Sequence, residues 1–182
     1  GLLMNGGAAV NQATADDGST PLLVAAHNGH IEVVGLLLDG GAAVNQAKTT
    51  TGATSLLLAA QNGHTEAVGL LMNGGAAVNQ ALTIDGSTPL FVAAQNGHAE
   101  VVGLLMNKGA TVNQARTTDG ETPHSVAADN GNVEVVGLLM NRGAAVNQAR
   151  TTNGATSLFI AAEKGHIEVV GLLMSGGAAV NQ

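Results

Sequence analysis

The sequence predicts an all-α solenoid of stacked helix-turn-helix units joined by hairpin-like fingers, and three observations predict it. Val-Asn-Gln recurs at Val10, Val44, Val78, Val112, Val146 and Val180, always 34 residues after the last. Thr20, Thr54, Thr88, Thr122 and Thr156 keep the same step, with no insertion or deletion between them. Each period also holds two short apolar stretches, both closed by glycine. A fixed period of this length marks an array whose units bury their apolar faces only by stacking on their neighbours.

Cutting before the Gly-x-Thr landmark gives units at 15–48, 49–82, 83–116, 117–150 and 151–182, with residues 1–14 as the tail of an earlier unit. Residues 1–182 therefore read as one solenoid domain. The chain begins on a helical pattern, Gly1-Leu2-Leu3-Met4, and stops at a Val-Asn-Gln. Neither end carries the polar capping unit that a free-standing solenoid needs, so a fragment of a longer array is expected.

Each element of the unit has a local reason, taken here from residues 15–48. Gly18 marks a turn. Thr20 followed by Pro21 reads as an N-cap with proline at the first helical position. The short helix then runs from Pro21 to His27, and Asn28-Gly29 ends it with a residue free to take positive φ. A second helix runs from about His30 to Asp39 and stops at Gly40-Gly41. Its Ile31, Val33, Val34, Leu36, Leu37 and Leu38 are apolar over most of the circumference, so it must be covered on several sides. Glu32, Gly35 and Asp39 form the one stripe that tolerates water. Ala42-Ala43-Val44-Asn45 leads into a polar connector to the next turn.

These residues closely resemble the ankyrin repeat. Gly18, Thr20, Pro21, Leu22, Ala25 and Ala26 match its first segment. Gly29, His30, Glu32, Val33, Val34, Leu36, Leu37 and Leu38 match its second, and Gly41, Ala42, Val44 and Asn45 its third. The resemblance runs the length of the chain and recurs five times. It implies stacked helix pairs and a protein partner. The departures are specific. The period is one residue longer than the family's, and the extra residue falls between Val-Asn and the next Thr, within Gln46 to Gly52. The family's histidine after Thr-Pro-Leu is replaced by Leu23, Leu57, Phe91, Ser125 and Phe159. Ser55 and Ser157 stand where proline is usual. Unit four departs most, with His124 at a core leucine position and Asn132 in place of the Gly-His histidine.

Composition narrows the function. Only 10 % of the residues are charged, against roughly 25 % in an average soluble domain. A net charge of −7 with six basic residues leaves no basic stripe for phosphates, so nucleic acid is not an expected partner. One per cent aromatic residues gives bases little to stack on. No apolar run approaches the roughly 18 residues of a transmembrane helix, so no membrane insertion is expected. The absence of cysteine removes thiolate chemistry and suits the cytoplasm.

Four groups of residues are candidates for function. His30, His64, His98 and His166 each precede a glutamate by two residues. Stacked helices lie roughly 8–10 Å apart, too far for shared ligands about 2.3 Å from a zinc ion. The row therefore reads as seating for the second helix, with no metal and no cofactor expected. Glu121, His124 and Asp129 gather in unit four, where contact between Glu121 and His124 is feasible at a helix start. A diverged repeat or a local recognition patch explains them better than proton transfer, which needs a third fixed partner and a pocket.

The third group is what the family resemblance implies for partner contact, carried over residue by residue. It comprises Ser19, Ala53, Ser87, Glu121 and Ala155 at the turns. It adds His27-Asn28, Gln61-Asn62, Gln95-Asn96, Asp129-Asn130 and Glu163-Lys164 at the ends of the first helices, all on the concave side. The fourth group, Gly35, Gly69, Gly103, Gly137 and Gly171, sits mid-helix, where each glycine costs about 1 kcal/mol relative to alanine. A glycine row lets another backbone approach, so it is a candidate convex packing surface within a large assembly; simple duplication of one glycine is the alternative. The expected function is a non-catalytic interaction scaffold that binds another protein through its concave face. The alternative is an architectural element that packs through the second helices.

Overall fold

The computed structural model describes residues 9–180. The helical start expected at Gly1-Leu2-Leu3-Met4 and the Asn181-Gln182 end lie outside them. Ten helices are present among the described residues, two in each repeat: α1 (Pro21–His27), α2 (Ile31–Asp39), α3 (Ser55–Gln61), α4 (Thr65–Asn73), α5 (Pro89–Gln95), α6 (Ala99–Asn107), α7 (Pro123–Asp129), α8 (Val133–Asn141), α9 (Ser157–Lys164) and α10 (Ile167–Ser175). Each odd helix packs on the even helix that follows it. Odd helices stack on odd and even on even, and the odd layer is in closer contact than the even one.

The odd helices begin where threonine dictates. Thr20, Thr54, Thr88, Thr122 and Thr156 are extended, and each hydroxyl accepts from the backbone N–H three residues on. Proline follows in α1, α5 and α7. Helices of seven or eight residues are too short to persist alone, so packing must hold them. Ala59, Ala60, Ala93, Ala94, Ala127 and Ala128 are fully buried and let successive odd helices approach closely.

The even helices are covered on several sides, as expected from their apolar circumference. Ala67, Val68 and Leu71 of α4 are fully buried, as are Val102 and Leu105 of α6. At the edges of the described array the cover is lost. Val33 and Leu36 of α2 are 45 % and 55 % exposed, and Ile167 of α10 is 85 % exposed. α2, α4, α6 and α10 each start one residue after a histidine and α8 one residue after Asn132, and none of these N-cap side chains bonds its own helix.

Three ladders of hydrogen bonds join the units. Among the described residues the asparagine of each Val-Asn-Gln, from Asn11 to Asn147, reaches the loop after the next even helix, both donating and accepting. Asn79 donates to the Gly109 carbonyl at 3.2 Å and accepts from the Thr111 N–H at 2.9 Å. Asn11, Asn45, Asn113 and Asn147 repeat the pair. The histidines form the second ladder. His64, His98 and His166 donate from Nε2 to the carbonyls of His27, Gln61 and Asp129 at 2.9–3.1 Å. Their seating role thus works between units. Asn132 keeps the bridge in unit four by donating to the Ala94 and Gln95 carbonyls. A Cβ on Gly29, Gly63 or Gly131 would lie 2.6–2.8 Å from the following ring, so glycine is required beneath it.

The third ladder runs through the fingers. Each finger closes on itself by bonds such as Lys48 N–H to the Ala53 carbonyl and Gly52 N–H to the Lys48 carbonyl, both 2.9 Å. It meets the previous finger through one backbone bond: Thr49 to Asp17, Thr83 to Thr51, Thr117 to Asp85 and Thr151 to Asp119, at 2.8–2.9 Å. Gly18, Gly52, Gly86 and Gly120 turn the chain at φ of 74–78°, with the next unit's threonine methyl packed where a Cβ would go.

Candidate partner-binding face

The fingers and the ends of the odd helices lie on one side of the stack. His27, Gln61, Gln95 and Glu163 are exposed there, with Asp129 half-buried. The asparagines beside them are exposed but engaged. Asn28, Asn62, Asn96 and Asn130 each donate to the carbonyl four residues back, at 2.8–3.0 Å, and so cap their helices. Asn62 also donates to His27 Nδ1 at 3.1 Å, and Asn96 to the Gln61 carbonyl at 3.0 Å. Lys164, in the same position of α9, is exposed and 3.7 Å from Asp129.

The turn residues require a correction. Ala53, Ser87, Glu121 and Ala155 are 2–7 % exposed, and Ser19 is half-buried. They lie at the base of each finger because their carbonyls close the finger loop. The tips are the residues three and four positions earlier: Ala15-Asp16, Thr49-Thr50, Thr83-Ile84, Thr117-Thr118 and Thr151-Thr152, all exposed. Ile84, at the middle finger, is 61 % exposed. The signal for this row was already in the sequence, since the extra residue of the 34-residue period falls in the same segment. Counting back from the turn glycine locates it.

The polar chemistry of this face is concentrated around unit four, where it is consumed internally. Buried Glu121 takes Arg116 Nη2 on Oε2 at 2.8 Å and Arg150 on Oε1. Arg150 also reaches Asp129 at 2.8 Å, and Arg116 pairs with Asp119 at 2.5 Å while its guanidinium lies 5.1 Å from the centre of the Phe91 ring. The bond from Arg116 holds the Asp119 carboxyl below its ordinary range. Burial works against the charge on Arg150, but its bonds to Asp129 and Glu121 outweigh that and raise its pKa. At the other end Lys48, 2.7 Å away, together with Ser19 and Thr14, holds Asp17 well below the usual carboxylate range.

The structure separates the expected trio of unit four. His124 is fully buried, and Nδ1 lies 2.9 Å from Ser157 Oγ of the next unit. Glu121 and Asp129 turn instead to Arg150. The feasible Glu121–His124 contact is not among the bonds either residue makes. Among the described residues no three His, Asp or Glu side chains converge as metal ligands, and no helix is long and apolar enough to cross a membrane.

On the opposite side the glycine row is open. A Cβ on Gly35, Gly69, Gly103 or Gly171 would meet nothing within 4 Å, and on Gly137 only Leu172 at 3.7 Å.

A family model described as ankyrin repeats (3 copies) matches residues 2–81, 40–116 and 113–182. No curated protein matches the chain.

Proposed function

The chain belongs to the ankyrin repeat family, and from that membership we propose that it is a non-catalytic scaffold that binds another protein along its fingertips and odd helices. Repeats of this family are in general protein–protein interaction modules without enzymatic activity. The observation that carries the specific reading is the alignment of free groups. In every unit two fingertip residues are exposed on one side, and in all but unit four, where Asp129 is half-buried, so is the last residue of the odd helix, while the base of each finger is folded into the stack. A two-layer stack bends towards its more tightly packed layer, and the odd layer is the tighter one. A partner lying there meets a concave ribbon fixed in advance, which lowers the ordering cost of binding.

Uncharged Thr, Gln and Asn dominate the ribbon over units one to three. Central Ile84 supplies its apolar anchor, in the position where binding energy tends to concentrate. The test is differential capture. Protein retained by the immobilised chain is compared with that retained by a Thr50→Arg, Ile84→Arg, Thr118→Arg variant and by a Gly69→Arg, Gly103→Arg variant. Loss with the first and retention with the second is expected. The reverse pattern makes the even-helix face the binding surface and the chain an architectural element.

A further inference from the structure

We propose that the junction between the fourth and fifth units is an acid-sensitive joint, at which protonation of His124 releases residues 151–180 while the preceding units stay stacked. The inference stands apart from the partner reading, since it concerns how the array is held together.

Four junctions are described, and the 34-residue register puts the same two positions at each: Leu22 and Ser55, Leu56 and Pro89, Leu90 and Pro123, and His124 and Ser157, all of them buried and the last pair hydrogen-bonded. Only the last of these places an ionisable group in the apolar layer between odd helices. The ring is fully buried, Nδ1 is satisfied by Ser157 Oγ at 2.9 Å, and Nε2 has no partner. An imidazolium there would carry a second N–H with no acceptor, inside the apolar core of the stacked odd helices, where Leu90, Ala128 and Ala161 are also fully buried.

The charged groups around it do not relieve this cost. Helix α5 carries none. Helix α8 carries the exposed Glu134, and α9 carries the exposed Glu163 and Lys164. Asp129 on α7 and Glu121 before it are tied to Arg150, while Asp119 is tied to Arg116. His166 spans the same junction but binds the Asp129 carbonyl, as its counterparts do at other junctions.

Burial accordingly pushes the His124 pKa down from 6.5 to about 4. Once 151–180 is released, His124 is uncovered on unit four and returns to the ordinary value, so the open form binds the proton first. Opening therefore begins to grow as pH falls below about 6.5 and levels off below about 4, by up to about 300-fold in the equilibrium constant. Release stays local because α9 and α10 pack chiefly on each other and on α7 and α8 of unit four, and each repeat is held by its nearest neighbours.

The experiment is an amide and histidine-ring NMR titration of the whole chain from pH 7.5 to 4.5. Expected is selective loss of the native amide signals of 151–180 as pH falls, with those of 20–115 retained and the His124 ring neutral for as long as the native signals last. His124→Leu, the residue of the other junctions, should abolish the selective loss. If that variant folds poorly, His124→Leu with Ser157→Pro rebuilds the apolar junction and carries the same expectation. Native signals that persist at 151–180 to pH 4.5 overturn the proposal. So does a His124 ring that titrates near 6.5 without release, or the same acid loss in the variants, which would assign it to the carboxylates around Arg150.

Discussion

Ser55 and Ser157 occupy the same slot, the first position of an odd helix, and the structure gives them opposite values. Ser157 completes His124, whereas Ser55 Oγ is buried with no partner, and the residue 33 positions before it, where unit four has His124, is the apolar Leu22. Thr54 before it is extended at φ −96° and ψ 165°, a conformation that precedes proline without strain. Ser55→Pro should therefore stabilise the chain by about 1–2 kcal/mol, through removal of an orphan hydroxyl and a stiffer unfolded chain. Ser157→Pro should destabilise it by about 1–3 kcal/mol, since it strips a buried imidazole of its one bond. Urea unfolding followed by far-ultraviolet circular dichroism measures both; equal effects would mean that the hydroxyl at 157 is not needed. The two serines were visible as departures from proline, but their difference was not. It depends on which residue lies 33 positions earlier in the neighbouring unit.

At the scale of the element, the asparagine ladder is the feature whose purpose periodicity alone concealed. Val-Asn-Gln was the strongest landmark in the sequence, yet its asparagine does its work 30 and 32 residues away. Asn79→Ala removes two inter-unit bonds from the middle of the array and should cost about 1–3 kcal/mol at roughly 0.5–1.5 kcal/mol per bond. A loss below the error of the denaturation curve would show that water replaces both. The even helices give a prediction of the other sign. With open space at the glycine row, alanine at Gly35, Gly69, Gly103, Gly137 and Gly171 should add about 1 kcal/mol each, roughly 5 kcal/mol if additive. Light scattering on the same variant tests the packing role. Unchanged mass beside the added stability leaves these glycines as tolerated losses, whereas a change of assembly state favours the architectural reading.

Over the whole molecule, few charges and their internal pairing set how a partner should bind. Most arginine and acid groups on the finger side neutralise one another, and the exposed remainder is largely amide and hydroxyl. Affinity for a protein partner should therefore change by less than about a factor of three as salt rises from about 0.05 to 0.5 M, because little remains to be screened. Titration calorimetry at the two salt concentrations checks this. A steep decline would place the contact on the glutamates of the even helices. The period foretold this architecture so fully because a solenoid has only nearest-neighbour contacts, and one well-read unit describes them all. Thr20, Pro21, Gly29 and the apolar even helix were each placed correctly, since caps, turns and amphipathic faces are decided within a few residues.

The sequence by itself determined the repeat, its two helices, their starts and stops, and the family. Those follow from local backbone preferences and from a spacing that the chain repeats without error. Only the tertiary structure decided which polar residues remain free. It drew Ala53, Ser87, Glu121 and Ala155 into the base of the fingers and set Thr50, Ile84 and Thr118 at their tips. It also turned His124 away from its acidic neighbours in sequence and onto Ser157. The physical reason is common to all of these. Burial and pairing of a side chain here depend on the adjacent unit about 34 residues away, and the fine register of that contact exists only once the units are stacked.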